Sequence, residues 1–170
     1  VPVYITQLYL LKQQYDSTLA YGQQVVEADE AGKLNTIKGY LGEAAYHQQA
    51  YDTVIRYLKA RQQADSLSYS QQYKLAFSYL KESQYEPASA AFQVLPVQED
   101  SLGQQVAYHL AEAYVQLKAN AKARNLFEFA SSLSFDTAIQ EQAAFRYAKL
   151  SYDEGYQKTA KARLQAFIQK

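Results

Sequence analysis

Apolar residues along this chain recur three and four places apart rather than at every second place. Leu110, Ala113, Tyr114 and Leu117 show the spacing, and no run alternates apolar with polar residues. Such spacing gathers apolar side chains on one face of a helix, so the whole chain reads as helix with no strand. Breaks between the apolar runs predict ten helices, over residues 3–12, 16–30, 35–48, 51–64, 69–83, 86–95, 102–117, 120–133, 137–153 and 157–169. Ser68-x-x-Gln71, Ser101-x-x-Gln104 and Thr137-x-x-Gln140 each fit a capping box, in which a hydroxyl and a Gln side chain satisfy the orphan amides of a first turn. Pro87 falls in the first turn of its helix, where a missing amide costs little, and Pro96 ends that helix. The longest non-helical piece is 96–101, so no linker divides the chain.

The helices come round in phase. Thr18, Val54, Ala88, Ala123 and Ala160 follow one another at steps of 36, 34, 35 and 37 residues. Thr6, Gly42, Ala76, Ala111 and Ala148 stand twelve residues earlier and keep the same steps. Leu58, Phe92, Phe127 and Leu164 stand four residues after the later anchors. Small residues let two helix axes approach, and the large ones fill the groove beside them. Pairs of small residues are expected to meet within a unit: Gly42 with Val54, Ala76 with Ala88, Ala111 with Ala123.

The stretches LGEAAYHQQAYDTVIRYLKA, YKLAFSYLKESQYEPASAAFQ and YHLAEAYVQLKANAKARNLFEFA, with this period, resemble tetratricopeptide repeats. The resemblance implies an all-α, right-handed α-α superhelix of about five helix pairs. It forms a single array over 1–170, with repeats near 1–33, 34–67, 68–102, 103–136 and 137–170. Three departures stand out: Gly22 where a large residue is expected, Ser151 where Tyr is usual, and Gly155-Tyr156 shifted in its turn.

In that family the first helix of each pair lines a concave groove that holds a protein or peptide partner. Carried onto this sequence, the groove positions include Tyr46, Tyr73, Phe77, Tyr108, Glu112, Phe145, Lys149 and Tyr152. The aromatic members would form one lane, about half of it accessible. Repeats that clamp the acidic tails of chaperones carry Lys, Asn and Arg at positions here occupied by Gly39, Glu43, Tyr73, Phe77, Tyr108 and Glu112, so that use is not expected. A narrower likeness lies in ARNLFEFASSLSFDTAIQEQAAFRYAKLSYDEGY. It is similar to long repeat proteins of Bacteroidetes-type bacteria, and implies a periplasmic or outer-membrane setting, with a cytoplasmic one as the alternative.

Composition narrows the field. Seventeen Lys and Arg balance seventeen Asp and Glu, which argues against nucleic acid and against polybasic attraction to a membrane. No run reaches the 18 or so apolar residues of a membrane span. The absence of Met, with no leader-like start, is expected of a fragment of a longer protein. Zero Cys excludes disulfides and thiol chemistry. Two histidines are too few for a zinc site, and His47 with Glu43 reads as a solvated pair. The pairs Glu99-Asp100 and Asp29-Glu30 fall in turns, where capping explains them better than acid–base work. No phosphate loop, nucleophile elbow, metal or cofactor site is expected, and no enzyme.

The leading expectation is a protein–protein interaction scaffold. The alternatives are a structural or oligomerising spacer, and an outer-membrane nutrient or glycan-binding component. Leu164, Phe167 and Ile168 on the last helix predict weak self-association through the carboxyl end.

Overall fold

The computed structural model describes residues 1–29, 31–32 and 34–168, with side chains to residue 165. Among the described residues there are ten helices and no strand: α1 (Pro2–Leu11), α2 (Tyr15–Glu27), α3 (Asn35–His47), α4 (Tyr51–Gln62), α5 (Tyr69–Lys81), α6 (Tyr85–Gln93), α7 (Ser101–Gln116), α8 (Asn120–Ser132), α9 (Thr137–Asp153) and α10 (Gln157–Ile168). Predicted and observed ends agree to within three residues. The larger departures are at α2, which stops at Glu27, and at α4, α5 and α6, which end two residues early.

Two compact units divide the chain. The first, Val1–Gln84, holds α1 to α5, and the second, Tyr85–Lys170, holds α6 to α10. The division falls inside the stretch expected to be the third repeat, 68–102. Within the first unit consecutive helices pack on one another, and α3 also touches α1 and α5. Within the second unit the same order holds, and α7 touches α9.

The in-phase residues are the buried ones. Thr6, Thr18, Val54, Ala76, Ala88, Ala111 and Ala123 are wholly enclosed, as are Phe92 and Phe127. Thr6 and Thr18 sit in these apolar seams because each hydroxyl donates to a carbonyl four residues back, on Pro2 and Gln14. Ala111, Ala123 and Phe127 share one cluster with Tyr108, Ala143 and Tyr147. Gly42 seats a larger neighbour: a Cβ there would lie 2.5 Å from Leu58 Cδ2. At Gly22 the expected bulk comes from elsewhere, for its Cβ would lie 2.7 Å from Leu41 Cδ2. The next helix fills the groove that α2 leaves open.

Each helix pair turns on the same backbone device. Gln13, Gln49, Ser83 and Lys118 have φ between 56° and 59°, and Gly155 has φ 86°. Their spacing repeats the 36, 34, 35 and 37 steps of the buried anchors, so Gly155 is in register with the other four and not shifted. In every turn the left-handed residue donates to a carbonyl three back and the next residue to one five back, as Lys118 does to Val115 and Ala119 to Tyr114. These are Schellman turns, which satisfy the last carbonyls of the first helix without any side chain. The helices that follow, α2, α4 and α8, begin with no side-chain cap.

Among the first helices α1 and α3 also lack a side-chain cap, whereas α5, α7 and α9 have one. Ser68 and Gln71 form the predicted capping box on α5. At the other two sites the cap lies one residue earlier. Asp100 accepts from Gly103 N at 2.6 Å and Asp136 from Ile139 N at 3.0 Å. A carboxylate gains from the positive helix end where a hydroxyl gains less, so Asp takes the position from Ser101 and Thr137. Gln104, released from the box, is fully buried. Its amide nitrogen donates to the carbonyls of Ala130, Leu133 and Asp136, and its oxygen accepts from Asp136 N at 2.8 Å. One side chain thereby joins α7 to the end of α8 and the start of α9. Gln140 reaches Ser131 O. Asp29 accepts from Leu34 N at 2.7 Å, a turn role that its sequence position suggested; Glu30 lies outside the described residues.

Candidate functional site

In the first unit the predicted groove residues lie together. Tyr46 comes from α3, and Tyr73 and Phe77 come from α5, one turn apart. The Tyr46 ring meets Phe77 edge-on at 5.9 Å, and Tyr73 stacks on Phe77 at 6.0 Å. Tyr51, at the start of α4, closes the group against both Tyr46 and Phe77. Cations cover it: Lys74 Nζ stands 5.4 Å from the Tyr46 ring and Lys81 Nζ 5.0 Å from that of Phe77. The Lys74 ammonium also pairs with the Glu43 carboxylate, which faces His47 Nε2 at 3.4 Å. Tyr15 stacks flat on His47 at 4.6 Å. Burial, then Tyr51 and Glu43 close by, push the Tyr46 hydroxyl above the usual tyrosine value, so it remains a neutral donor.

In the second unit the corresponding positions are charged and hydrogen-bonded. The Tyr108 hydroxyl donates to Gln142 Oε1 at 2.7 Å, and its ring meets Phe127 edge-on at 5.6 Å. Glu112 stands 2.9 Å from His109 Nδ1 on its own helix and 3.3 Å from Arg146 Nη2 on α9. The Arg146 guanidinium lies over both Tyr108 and Phe127, at 6.0 and 5.8 Å. Burial raises the Tyr108 hydroxyl, with Glu112 adding to the effect and Arg146 opposing it. Further along α9, Phe145, Lys149 and Tyr152 follow at spacings of four and three. They stand in the open: Phe145 is 49% exposed and Tyr152 61%.

The eight predicted residues therefore fall into different circumstances. Tyr73 and Tyr108 are buried, at 9% and 4% exposure, because α5 and α7 pack against neighbouring helices on that side. They support the surface more than they form it. Tyr46, Phe77 and Glu112 are half-buried, and Phe145, Lys149 and Tyr152 are exposed. An open depression of about 610 Å³ runs along α9, lined by Ala138, Glu141, Gln142, Phe145, Arg146 and Lys149. A second, of about 270 Å³, lies between α9 and Val115, Asn120 and Phe127, and shares Arg146 and Lys149 with the first.

Arg146, Gln142, Lys74 and Tyr51 escaped the sequence reading. Arg146 and Gln142 lie one turn before Lys149 and Phe145, the places to which the 37-residue step leads from Glu112 and Tyr108, so the repeat step pointed to neither partner. Among the described residues no group of three His, Cys, Asp or Glu could hold a metal ion. No described helix is long and apolar enough to cross a membrane. The carboxyl-terminal apolar set is only partly within view: Leu164 is half-buried, and the side chains of Phe167 and Ile168 lie outside the described residues.

No protein-family model matches the sequence, and no curated protein matches it. Solved structures do. YrrB, described as a TPR protein with an unusual peptide-binding site, superposes with a TM-score of 0.80 at 14% identity, over 99% of this chain and 84% of that one. MamA from AMB-1 gives 0.80 at 16% identity, over 99% and 88%. The nearly identical TPR-like repeats of a Podosopora anserina putative kinesin light chain give 0.64 at 16%, over 98% and 92%. At such identities the likeness is one of architecture. With the phased helix pairs and their buried small residues, it shows that this chain has the tetratricopeptide-repeat fold.

Proposed function

We propose that the chain is a protein–protein interaction scaffold, and that a partner segment docks along α9. One observation carries this: Phe145 and Tyr152 hold ring surface out to solvent on either side of Lys149, next to an open depression of about 610 Å³. Exposed aromatics beside a concavity are the usual anchors of an interface. The cation and the neighbouring Glu141 and Gln142 supply polar contacts at the rim. The peptide site named for the structural neighbour YrrB supports the class of partner. Within the second unit Tyr108 and Glu112 support this surface; Tyr46 and Phe77, with Tyr73 beneath them, are proposed as a contact face of the first unit. The likeness of residues 123–156 to envelope-associated repeat proteins supports a setting at the cell envelope.

A test begins with peptide display on the purified chain. Selected peptides are then measured by calorimetry against the Phe145→Ser/Tyr152→Ser variant. Affinity is expected to fall at least about tenfold with the melting temperature unchanged, since both side chains are exposed. Undiminished binding by the variant would remove α9 from the site.

A further inference from the structure

The cavity of about 270 Å³ in the second unit has a counterpart in the first that the chain fills with its own rings. The repeat steps carry Val115 and Asn120 back to Tyr46 and Tyr51, and Lys149 back to Phe77. In the first unit those three rings meet one another, with centroids 5.9 to 6.3 Å apart. They occupy the space between α3, α4 and α5. In the second unit a valine, a carboxamide and a flexible ammonium chain stand in their places, and the space between α7, α8 and α9 stays open.

The residue that begins the second helix makes the largest difference. Tyr15, Tyr51 and Tyr85 begin α2, α4 and α6, and all three are half-buried. Tyr15 lies flat on His47 of α3, and Tyr51 meets Phe77 of α5 edge-on, so each of these two rings reaches the next first helix. Asn120 begins α8 in the same register and has no ring to send toward α9. The cavity lies at that place, with walls drawn from α7, α8 and α9.

What remains around the cavity suits an incoming ring. Phe127 lines it, and Arg146 already lies over Phe127 at 5.8 Å, as Lys74 at the matching place lies over Tyr46 at 5.4 Å. Lys149 adds a second cation, and cations are attracted to aromatic faces. An apolar cavity of ~150 Å³ holds a benzene ring, so the larger volume here takes a phenol ring with its first methylene. Asn120 and Asp153 bring oxygen acceptors for a phenolic hydroxyl. A leucine would gain from neither the cations nor the acceptors.

We propose that this cavity is a binding pocket for a tyrosine side chain of a partner protein, seated where a ring at position 120 would stand if it matched Tyr51. The inference rests on the docking function proposed above and names one anchor of the docked segment.

The probe is N-acetyltyrosinamide, titrated into the full chain and followed by nuclear magnetic resonance. Saturable shifts should appear at Val115, Asn120 and Leu150, with half-saturation at about 1–20 mM, as befits a single small anchor. N-acetyllecinamide should bind at least about fivefold more weakly. Asn120→Tyr, which supplies the missing ring from within, should weaken binding of the tyrosine amide at least about tenfold while helical circular dichroism is kept. Val115→Tyr restores the ring at the place of Tyr46 and gives a second reading should Asn120→Tyr disturb α8. Three results overturn the proposal: no saturable shift at the cavity, a leucine amide that binds as well as the tyrosine amide, or a tyrosine amide that binds both variants as it binds the parent. Failure of the α9 reading shows instead in selected peptides that ignore Phe145→Ser/Tyr152→Ser, so the two failures are separable.

Discussion

The two units share a repeat and differ in what they place on it. In Val1–Gln84 the predicted site positions of α3 and α5 hold rings that pack on one another, with Lys74 and Lys81 above them. In Tyr85–Lys170 the same register holds Tyr108, which donates to Gln142, and Glu112, which faces His109 and Arg146, while the rings of Phe145 and Tyr152 stand exposed. The period decides which positions recur on one face of each first helix; the residue type decides whether those positions pack together or stand exposed. The first unit has largely satisfied its aromatics internally. The second has satisfied its charges and left its outer rings open, which is why the proposed docking surface lies on α9.

The broadest test asks whether both units rest on the same buried rows. Phe127→Ala in the second should cost about 3–5 kcal/mol and Leu58→Ala in the first about 2–5. Urea denaturation measures both, and a small loss at either would show that its unit does not depend on that row. Gln104 sharpens the contrast. It makes four hydrogen bonds in full burial, whereas Gln72 in the first unit makes one, to Leu67 O. Gln104→Ala should cost about 2–4 kcal/mol through stranded backbone groups, and Gln72→Ala no more than about 1. Equal losses would erase the distinction.

Overpacking comes next. Ala111→Leu or Ala123→Leu should cost about 1–3 kcal/mol by forcing α7 and α8 apart. Melting curves that match the parent chain would mean the two residues do not share a close contact. A shallower effect should appear in alkali in both units. Burial holds the hydroxyls of Tyr46, Tyr79, Tyr108 and Tyr147 above the ordinary value of 10.0. Above that value the folded chain keeps protons that the unfolded chain has released. Stability is therefore complete below about pH 10 and declines as pH rises through the raised folded values. Denaturation midpoints at about pH 9 and about pH 11 compare the two regimes. The smallest effect should be common to both units: Gln49→Gly and Lys118→Gly should each stabilise by about 0.5–1 kcal/mol, by relieving a side chain held at positive φ. A loss at either would mean that its side chain contributes more than its strained backbone costs.

Much of the architecture was legible before any coordinates. The anchors Ala111 and Ala123 carry the period and are buried because of it, and the start of α5 was readable from Ser68 and Gln71. Other features depended on competition between adjacent residues. Asp100 and Asp136 outbid Ser101 and Thr137 as caps, and a local pattern cannot rank two good candidates side by side. Gln104 looked like half of that cap because its long-range partners are 26 to 32 residues away. At the candidate site, the register singled out one face of α5 and one of α7. It could not say that Tyr73 and Tyr108 would be covered, because cover depends on the bulk of neighbouring helices. Nor did the usual marker of a left-handed turn, glycine, appear at Gln13, Gln49, Ser83 or Lys118.

Those turns bear on how the chain acquires its structure. Each is closed by hydrogen bonds reaching back only three and five residues, and none needs a side chain from anywhere else. A hairpin of two helices can thus begin to close on short-range contacts alone, with little loop entropy to overcome. Five such starting points lie along the chain, so ordering can begin at any of them and spread to its neighbours, and no single stretch of sequence has to form first.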